Sequence, residues 1–136
     1  MPKAADGPIK RLWHERKFGR RRWRFYLTSK LYLDGEEKAG LCMPGRAEVV
    51  VHACQKAKDI VRTTNHELVH VWHDLGRGER AELVNEAEWE ENAAVLFEVG
   101  GPTVLAAYGF KLPPMPKWLA SFRAECRRFD AARAAA

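Results

Sequence analysis

The feature that most constrains this sequence is a change in its residue pattern near residue 56. Before that point, short segments rich in β-branched and aromatic residues are separated by turn-forming Asp-Gly and Pro-Gly pairs. After it, apolar residues recur at helical spacing and the periodic stretches end at glycine. Strands followed by helices predict an α+β fold with a small, mostly antiparallel sheet.

Four segments of the first half have the composition and turn boundaries of strands. These segments are residues 23–27, Leu31–Leu33, Gly40–Met43 and Glu48–His52. The second and third flank Asp34-Gly35, which is a hairpin signal, so we expect them to pair. Residues 9–18 are instead predicted to form a short basic helix that ends at Gly19.

The second half is predicted to hold four helices. They cover residues 57–74, from 83 or 85 to 99, 102–108 and 118–132. Glycines follow the first two, and Pro102 suits the first turn of the third. The expected architecture is therefore a sheet packed on a pair of helices, with further helices toward the C-terminus.

Length and composition indicate one globular domain. With 136 residues, 46% of them apolar and 30% charged, the chain can bury one modest core. We expect residues 1–8 to be a flexible tail and residues 9–136 a single domain. The apolar runs are too short to cross a bilayer, and no secretory signal is recognisable. The three widely spaced cysteines fit the reduced thiols of a cytoplasmic protein better than a zinc ribbon.

The segment His66-Glu67-Leu68-Val69-His70 points to metal chemistry. On a helix, residues four apart share one face and lie about 6 Å apart along the axis, so both imidazoles can reach one ion. Zinc takes imidazole nitrogens as ligands in tetrahedral geometry. Glu67 follows the first histidine, where a carboxylate can take a proton from the attacking water and pass it to the leaving amine.

A catalytic zinc needs a third protein ligand, and the glutamate-rich second helix is the expected source. The inward face of that helix carries its apolar residues, which are Trp89, Ala93, Leu96 and Phe97. Glu90 and Glu86 border this face, whereas Glu88 and Glu91 point away from it. We therefore predict Glu90 as the third ligand, with Glu86 as the alternative. His73 lies about 10 Å along the helix from the first histidine, too far to share its ion.

The motif, followed by Glu90-Glu91-Asn92-Ala93-Ala94, resembles the gluzincin pattern of zinc metallopeptidases. The segments ahead of it are similar to those of small phage and bacterial SprT-like or minigluzincin-like domains. They are the hairpin around Asp34-Gly35, the strand Ala47-Glu48-Val49-Val50-Val51 and the lead-in Thr63-Thr64-Asn65. SprT-like proteins proper usually take a third histidine ligand, and none follows His73, which favours the glutamate.

The resemblance implies a zincin-type fold that binds one Zn²⁺ per chain and hydrolyses a protein or peptide substrate. It assigns the ligands to His66, His70 and Glu90, with Glu67 as the catalytic base. It also implies that Glu48–His52 is an edge strand to which a substrate peptide could add by strand pairing. The residues considered for supporting the ligands or stabilising the transition state are His73, Tyr108 and His52.

The segment from Arg20 to Tyr26 interleaves arginines with aromatic residues. Arginines can hold phosphates and aromatic rings can stack on bases, which would suit a peptidase acting near DNA, as the SprT-like relatives imply. The candidate contacts are Arg20, Arg21, Arg22 and Arg24. The alternative is a solvated strand with Trp23 and Phe25 in the core, which the alternation also fits.

Two further hypotheses follow from the same residues. One is a non-catalytic zincin-fold protein that binds nucleic acid through the basic segment. The other is a structural accessory protein in which the ion only holds the helices together.

Overall fold

A computed structural model of the chain describes residues 7–18, 21–76, 91, 94 and 112–135, with the backbone alone at residues 72–76. Six strands and two long helices cover most of this part. The strands are β1 (Lys10–Phe18), β2 (Arg21–Thr28), β3 (Leu31–Leu33), β4 (Glu36–Lys38), β5 (Gly40–Met43) and β6 (Glu48–His52). The helices are α1 (Ala57–Gly76) and α2 (Leu119–Ala135), and a single 3-10 turn spans Pro44–Arg46.

The main sheet has four strands in the order β1-β2-β6-β5, and β3 and β4 form a separate two-stranded sheet. The β1–β2 and β5–β6 pairs are antiparallel, whereas β2 and β6 run parallel. The fold is therefore α+β with a small, mostly antiparallel sheet, as predicted. The parallel pair is possible because β3, β4 and β5 lie between β2 and β6 in sequence and provide the crossover.

The predicted helix over residues 9–18 is wrong, because these residues form strand β1 along the full length of β2. The register shifts between Leu12 and His14, so a bulge at Trp13 interrupts the alternation that indicates a strand. Strand β2 is the next element of the chain, and Phe18 at the end of β1 pairs with Arg21 at its start. The pairing is therefore local in sequence, but the composition of residues 9–18 did not indicate it.

The hairpin at Asp34-Gly35 is confirmed, but its second strand is not the predicted one. Both turn residues have positive φ, 53° and 81°, as a two-residue hairpin turn requires. The turn joins β3 to β4, and β5 pairs with β6 instead. Strand β6 is consequently an interior strand, so the expectation that Glu48–His52 borders the cleft as an edge is wrong. Among the described residues, β1 and β5 are the edges of the main sheet.

The core lies where α1 and α2 pack with one face of the main sheet. Alternate residues of β2 are buried, and Val49 and Val51 of β6 lie beside them. Both helices agree with the predictions for residues 57–74 and 118–132. Of the two helices predicted between them, only Glu91 and Ala94 are described, and both are helical. No helix in the described part of the chain is long and apolar enough to cross a membrane.

Arg123 of α2 connects the C-terminal helix to the segment that leads into α1. Its guanidinium donates from Nε to the carbonyl oxygen of Ala53 at 2.7 Å and from Nη2 to that of Gln55 at 2.5 Å. These two carbonyls lie just before the first turn of α1. A planar, charged donor can satisfy both at once, which lysine cannot do with the same geometry.

We expect Arg123→Ala to lower the free energy of unfolding by about 2 kcal/mol or more, because two charge-assisted hydrogen bonds are removed and two carbonyls lose their partners. Urea unfolding at constant m-value measures this change. Arg127→Ala, at an exposed position on the same helix, is the matched control and should stay within about 0.5 kcal/mol of the original protein. Equal losses in the two variants would contradict the role given to Arg123.

Candidate metal centre

Helix α1 presents His66 and His70 beside its buried side. Ile60, Leu68 and Val71 are fully buried in the core, which fixes how the helix is rotated about its axis. The histidine side chains remain 17% and 21% exposed. Their rings lie 5.4 Å apart between centroids, as expected for residues one helical turn apart.

Glu91 contacts both histidines. Its Oε1 lies 2.9 Å from His66 Nε2, and its Oε2 lies 3.3 Å from His70 Nε2. One ligand atom from each of the three residues lies within 4.8 Å of the others. Among the described residues, this is the cluster of His, Cys, Asp and Glu side chains that could hold a metal ion.

The expectation that Glu91 points away from the histidines is wrong. It assumed that a ligand would lie on the apolar face of its helix. On α1, however, the two histidines lie away from the buried Leu68. The segment that carries Glu91 can therefore meet them with a side other than its own apolar face. Ala94, one turn after Glu91, is fully buried, whereas the Glu91 side chain is 55% exposed. Glu90 and Glu86, the predicted and alternative ligands, lie outside the described residues.

The three donors are of types that zinc can bind, imidazole nitrogen and carboxylate oxygen. Zinc binds imidazole nitrogen and carboxylate oxygen at about 2.0–2.2 Å, so donors sharing one tetrahedral ion lie about 3.3 Å apart. In the structure each histidine meets a different oxygen of the Glu91 carboxylate, at 2.9 and 3.3 Å. The same contacts also describe ion pairs between the carboxylate and protonated histidines. Metal analysis therefore has to distinguish the two arrangements.

Glu67 lies on the side of α1 that faces strand β5, and its side chain is buried, with 7% exposed. A methyl group placed on Gly40 of β5 would lie 3.5 Å from Glu67 Cγ. Glu67 is therefore next to His66 in the sequence of α1 and lies beside an edge strand.

Of the remaining residues predicted for the site, His52 has a described side chain, and it does not join this cluster. His52 ends β6, and burial lowers its pKa, an effect partly opposed by Asp130 and Glu37. Its charged neighbours are thus not the residues of the cluster. His73 is on α1, but its side chain, like the whole of Tyr108, lies outside the described part.

The side chains of residues 21–26, the described part of the basic segment, alternate between the two faces of the sheet. Trp23 and Phe25 are 0% and 1% exposed, so the alternative with these rings in the core is correct and they cannot stack on bases. Arg22 and Arg24 lie on the other face of β2 and are exposed, as is Arg21 at the start of the strand. Arg20 lies outside the described residues.

No protein-family model, curated protein or solved structure matches this chain.

We expect the protein prepared with zinc to hold about one ion per chain, measured by elemental analysis. Replacing both His66 and His70 with alanine should abolish binding, because two of three ligands are removed. Glu91→Gln should weaken it by more than the roughly 10–100-fold caused by removing an outer-shell partner. No bound zinc in the original protein would overturn the site.

Glu90→Gln is the matched control for Glu91→Gln, since it removes the adjacent carboxylate. It should leave zinc affinity nearly unchanged. Loss of zinc in Glu90→Gln but not in Glu91→Gln would contradict the assignment of Glu91.

Proposed function

We propose that this chain is a zinc-dependent metallopeptidase whose ion is held by His66, His70 and Glu91. The convergence of the Glu91 carboxylate on both histidines is the observation that carries the proposal. Glu67, adjacent to the first ligand and facing an edge strand, supplies the base. Two histidines and a helix-borne glutamate are the ligand set of the gluzincins, which the motif resembles, so the proposal includes a gluzincin-like pair of helices.

The proposed reaction is hydrolysis of a peptide bond. Bound zinc would supply Lewis-acid chemistry, lowering the pKa of water to about 7 and polarising a carbonyl oxygen. Glu67 accepts a proton from the attacking water and donates it to the nitrogen of the leaving amine. Its burial against β5 restricts its rotamers and keeps bulk water from competing for the carboxylate.

Strand β5 is the proposed docking edge for the substrate. Among the described residues β5 pairs only with β6, so its other edge can accept an extended peptide by backbone hydrogen bonding. It packs against α1, and Gly40 at its start lies beside Glu67. The proposal therefore transfers the role of edge strand from Glu48–His52 to Gly40–Met43.

Glu67→Gln should retain zinc and lose peptide hydrolysis, because an amide is isosteric with the carboxylate but cannot accept the proton. The measurement is cleavage of a denatured protein such as casein, followed by mass spectrometry, beside zinc content. The exposed Glu125→Gln on α2 is the control and should cleave normally. Zinc binding without cleavage by the original protein, with a lower melting temperature on chelation, would favour the structural hypothesis instead.

A second candidate function, contact with nucleic acid, is favoured by the charges at one end of the sheet. Exposed cations there form a basic patch, defined as Lys17, Arg21, Arg22, Arg24 and Arg46. Arg21 Nη2 donates to the Gly45 carbonyl and the backbone N–H of Arg24 donates to that of Ala47, which places the start of β2 beside the turn that contains Arg46. Glu15 pairs with Arg22 at 3.2 Å, and the other nearby carboxylate, Glu48, pairs with Lys10.

The chemistry of the patch suits phosphates rather than bases. Four of its five cations are arginines, which bind phosphate oxygens in bidentate fashion. Of the aromatic residues of β2, Trp23 and Phe25 are buried, and Lys10 Nζ lies over the Tyr26 ring at 4.3 Å from its centroid. Binding through the basic patch should therefore be insensitive to base sequence and strongly dependent on salt.

Replacing both Arg22 and Arg24 with glutamine should weaken binding of a fluorescent single-stranded oligonucleotide and reduce the salt slope by about 0.7 for each phosphate that the variant no longer neutralises. The control replaces Arg127 and Arg128 on α2 with glutamine, which changes the net charge equally and should leave the slope unchanged. Equal effects of the two pairs would indicate general electrostatic attraction and overturn the assigned patch.

A further inference from the structure

The described contact between α1 and β5 is too close to admit a side chain at residue 40. A methyl group there would lie 2.6 Å from Thr63 Cγ2 and 3.1 Å from the carbonyl oxygen of Val50. The first distance is shorter than real contacts of this kind, and the threonine methyl belongs to a stiff, β-branched side chain. Gly40 therefore lets the edge strand approach the metal-bearing helix at this point.

A network of hydrogen bonds also holds α1 close to β5. The Thr63 hydroxyl donates to Gln55 Oε1 at 3.2 Å. Gln55 Nε2 donates to the carbonyl oxygens of Ala39 and His52, at 3.1 and 2.8 Å. One amide side chain thus joins α1, the residue before β5 and the end of β6. Both amide hydrogens and the amide oxygen of Gln55 are used, which holds the group in one orientation.

We propose that Gly40, Gln55 and Thr63 form a clamp that sets the distance between α1 and β5 and thereby positions Glu67. Thr63 lies one helical turn before Glu67, and the site of a methyl on Gly40 is within 3.5 Å of Glu67 Cγ. Any displacement of α1 from β5 at Thr63 also displaces Glu67. The clamp residues are positioning residues, and their catalytic effect rests on the proposed function.

The size of the expected effect follows from the tolerance of catalytic geometry. A misplacement of about 1 Å of a reacting group can cost on the order of 100-fold in rate. The clash at Gly40 requires a movement of that order, because 2.6 Å has to grow to an ordinary contact distance. His66 and His70 lie on α1 with Glu67, whereas Glu91 lies on another segment, so zinc content is measured separately from turnover.

The main test is a rescue experiment. Gly40→Ala should keep about one zinc per chain, lose on the order of 100-fold in kcat and change KM less. Thr63→Ser alone should resemble the original protein, since it keeps the hydroxyl and removes the methyl. The double variant, Gly40→Ala with Thr63→Ser, should recover most of kcat and of the melting temperature, because it lacks the Thr63 methyl with which the new alanine would clash. A double variant no better than Gly40→Ala would overturn the clamp.

A second variant tests the hydrogen bond from Thr63 to Gln55 without introducing a steric clash. Thr63→Val keeps the methyl and removes the hydroxyl that donates to Gln55, so kcat should fall with zinc content unchanged. Arg62→Gln, at the exposed neighbouring position, is the control and should behave as the original protein. Normal kcat in Thr63→Val and in Gly40→Ala would contradict the positioning role.

The outcomes separate the two proposals. If the original protein binds zinc but cleaves nothing, the proposed function fails and the catalytic role of the clamp fails with it. The contact itself is still tested, because Thr63→Ser must rescue the melting temperature of Gly40→Ala if the clash is real. Cleavage by every clamp variant at the original rate would leave the peptidase proposal intact and overturn the clamp alone.

Discussion

The close packing of α1 against β5 and β6 is the contact on which the candidate site depends. It is possible because residue 40 has no side chain, and Gln55 then bridges the helix and both strands. Glu67 lies beside the same contact. The rotation of α1 about its axis is set separately by Ile60, Leu68 and Val71 in the core. Packing and hydrogen bonding thus define one orientation of the helix that carries His66 and His70.

The candidate metal centre illustrates how a helix can serve a core and a site together. The two histidines occupy a side of α1 next to its apolar stripe, where they are only partly exposed. Glu91 meets them from a segment in which Ala94 is fully buried one turn later. The histidines are thus partly desolvated, whereas the Glu91 side chain is 55% exposed. Solvent around the carboxylate therefore screens its attraction to the imidazoles.

The elements of the fold that could be predicted are those that depend on residues close together in the sequence. The strand Glu48–His52 follows from consecutive β-branched residues, the hairpin from Asp34-Gly35, and α1 from its periodicity. Strand β1 was missed because a bulge at Trp13 breaks the alternation that indicates a strand. The interior position of β6 was missed for a different reason. Strand order depends on pairings between distant segments, which composition does not encode.

The sequence by itself determined that His66 and His70 share a helix face with Glu67 beside them, since a five-residue spacing on one helix is sufficient for that. It also determined that Trp23 and Phe25 alternate with Arg22 and Arg24 on β2. Only the tertiary structure decided which glutamate meets the histidines and which strand borders Glu67. Both depend on how separate elements are rotated and paired, and side-chain packing across the whole core sets those angles.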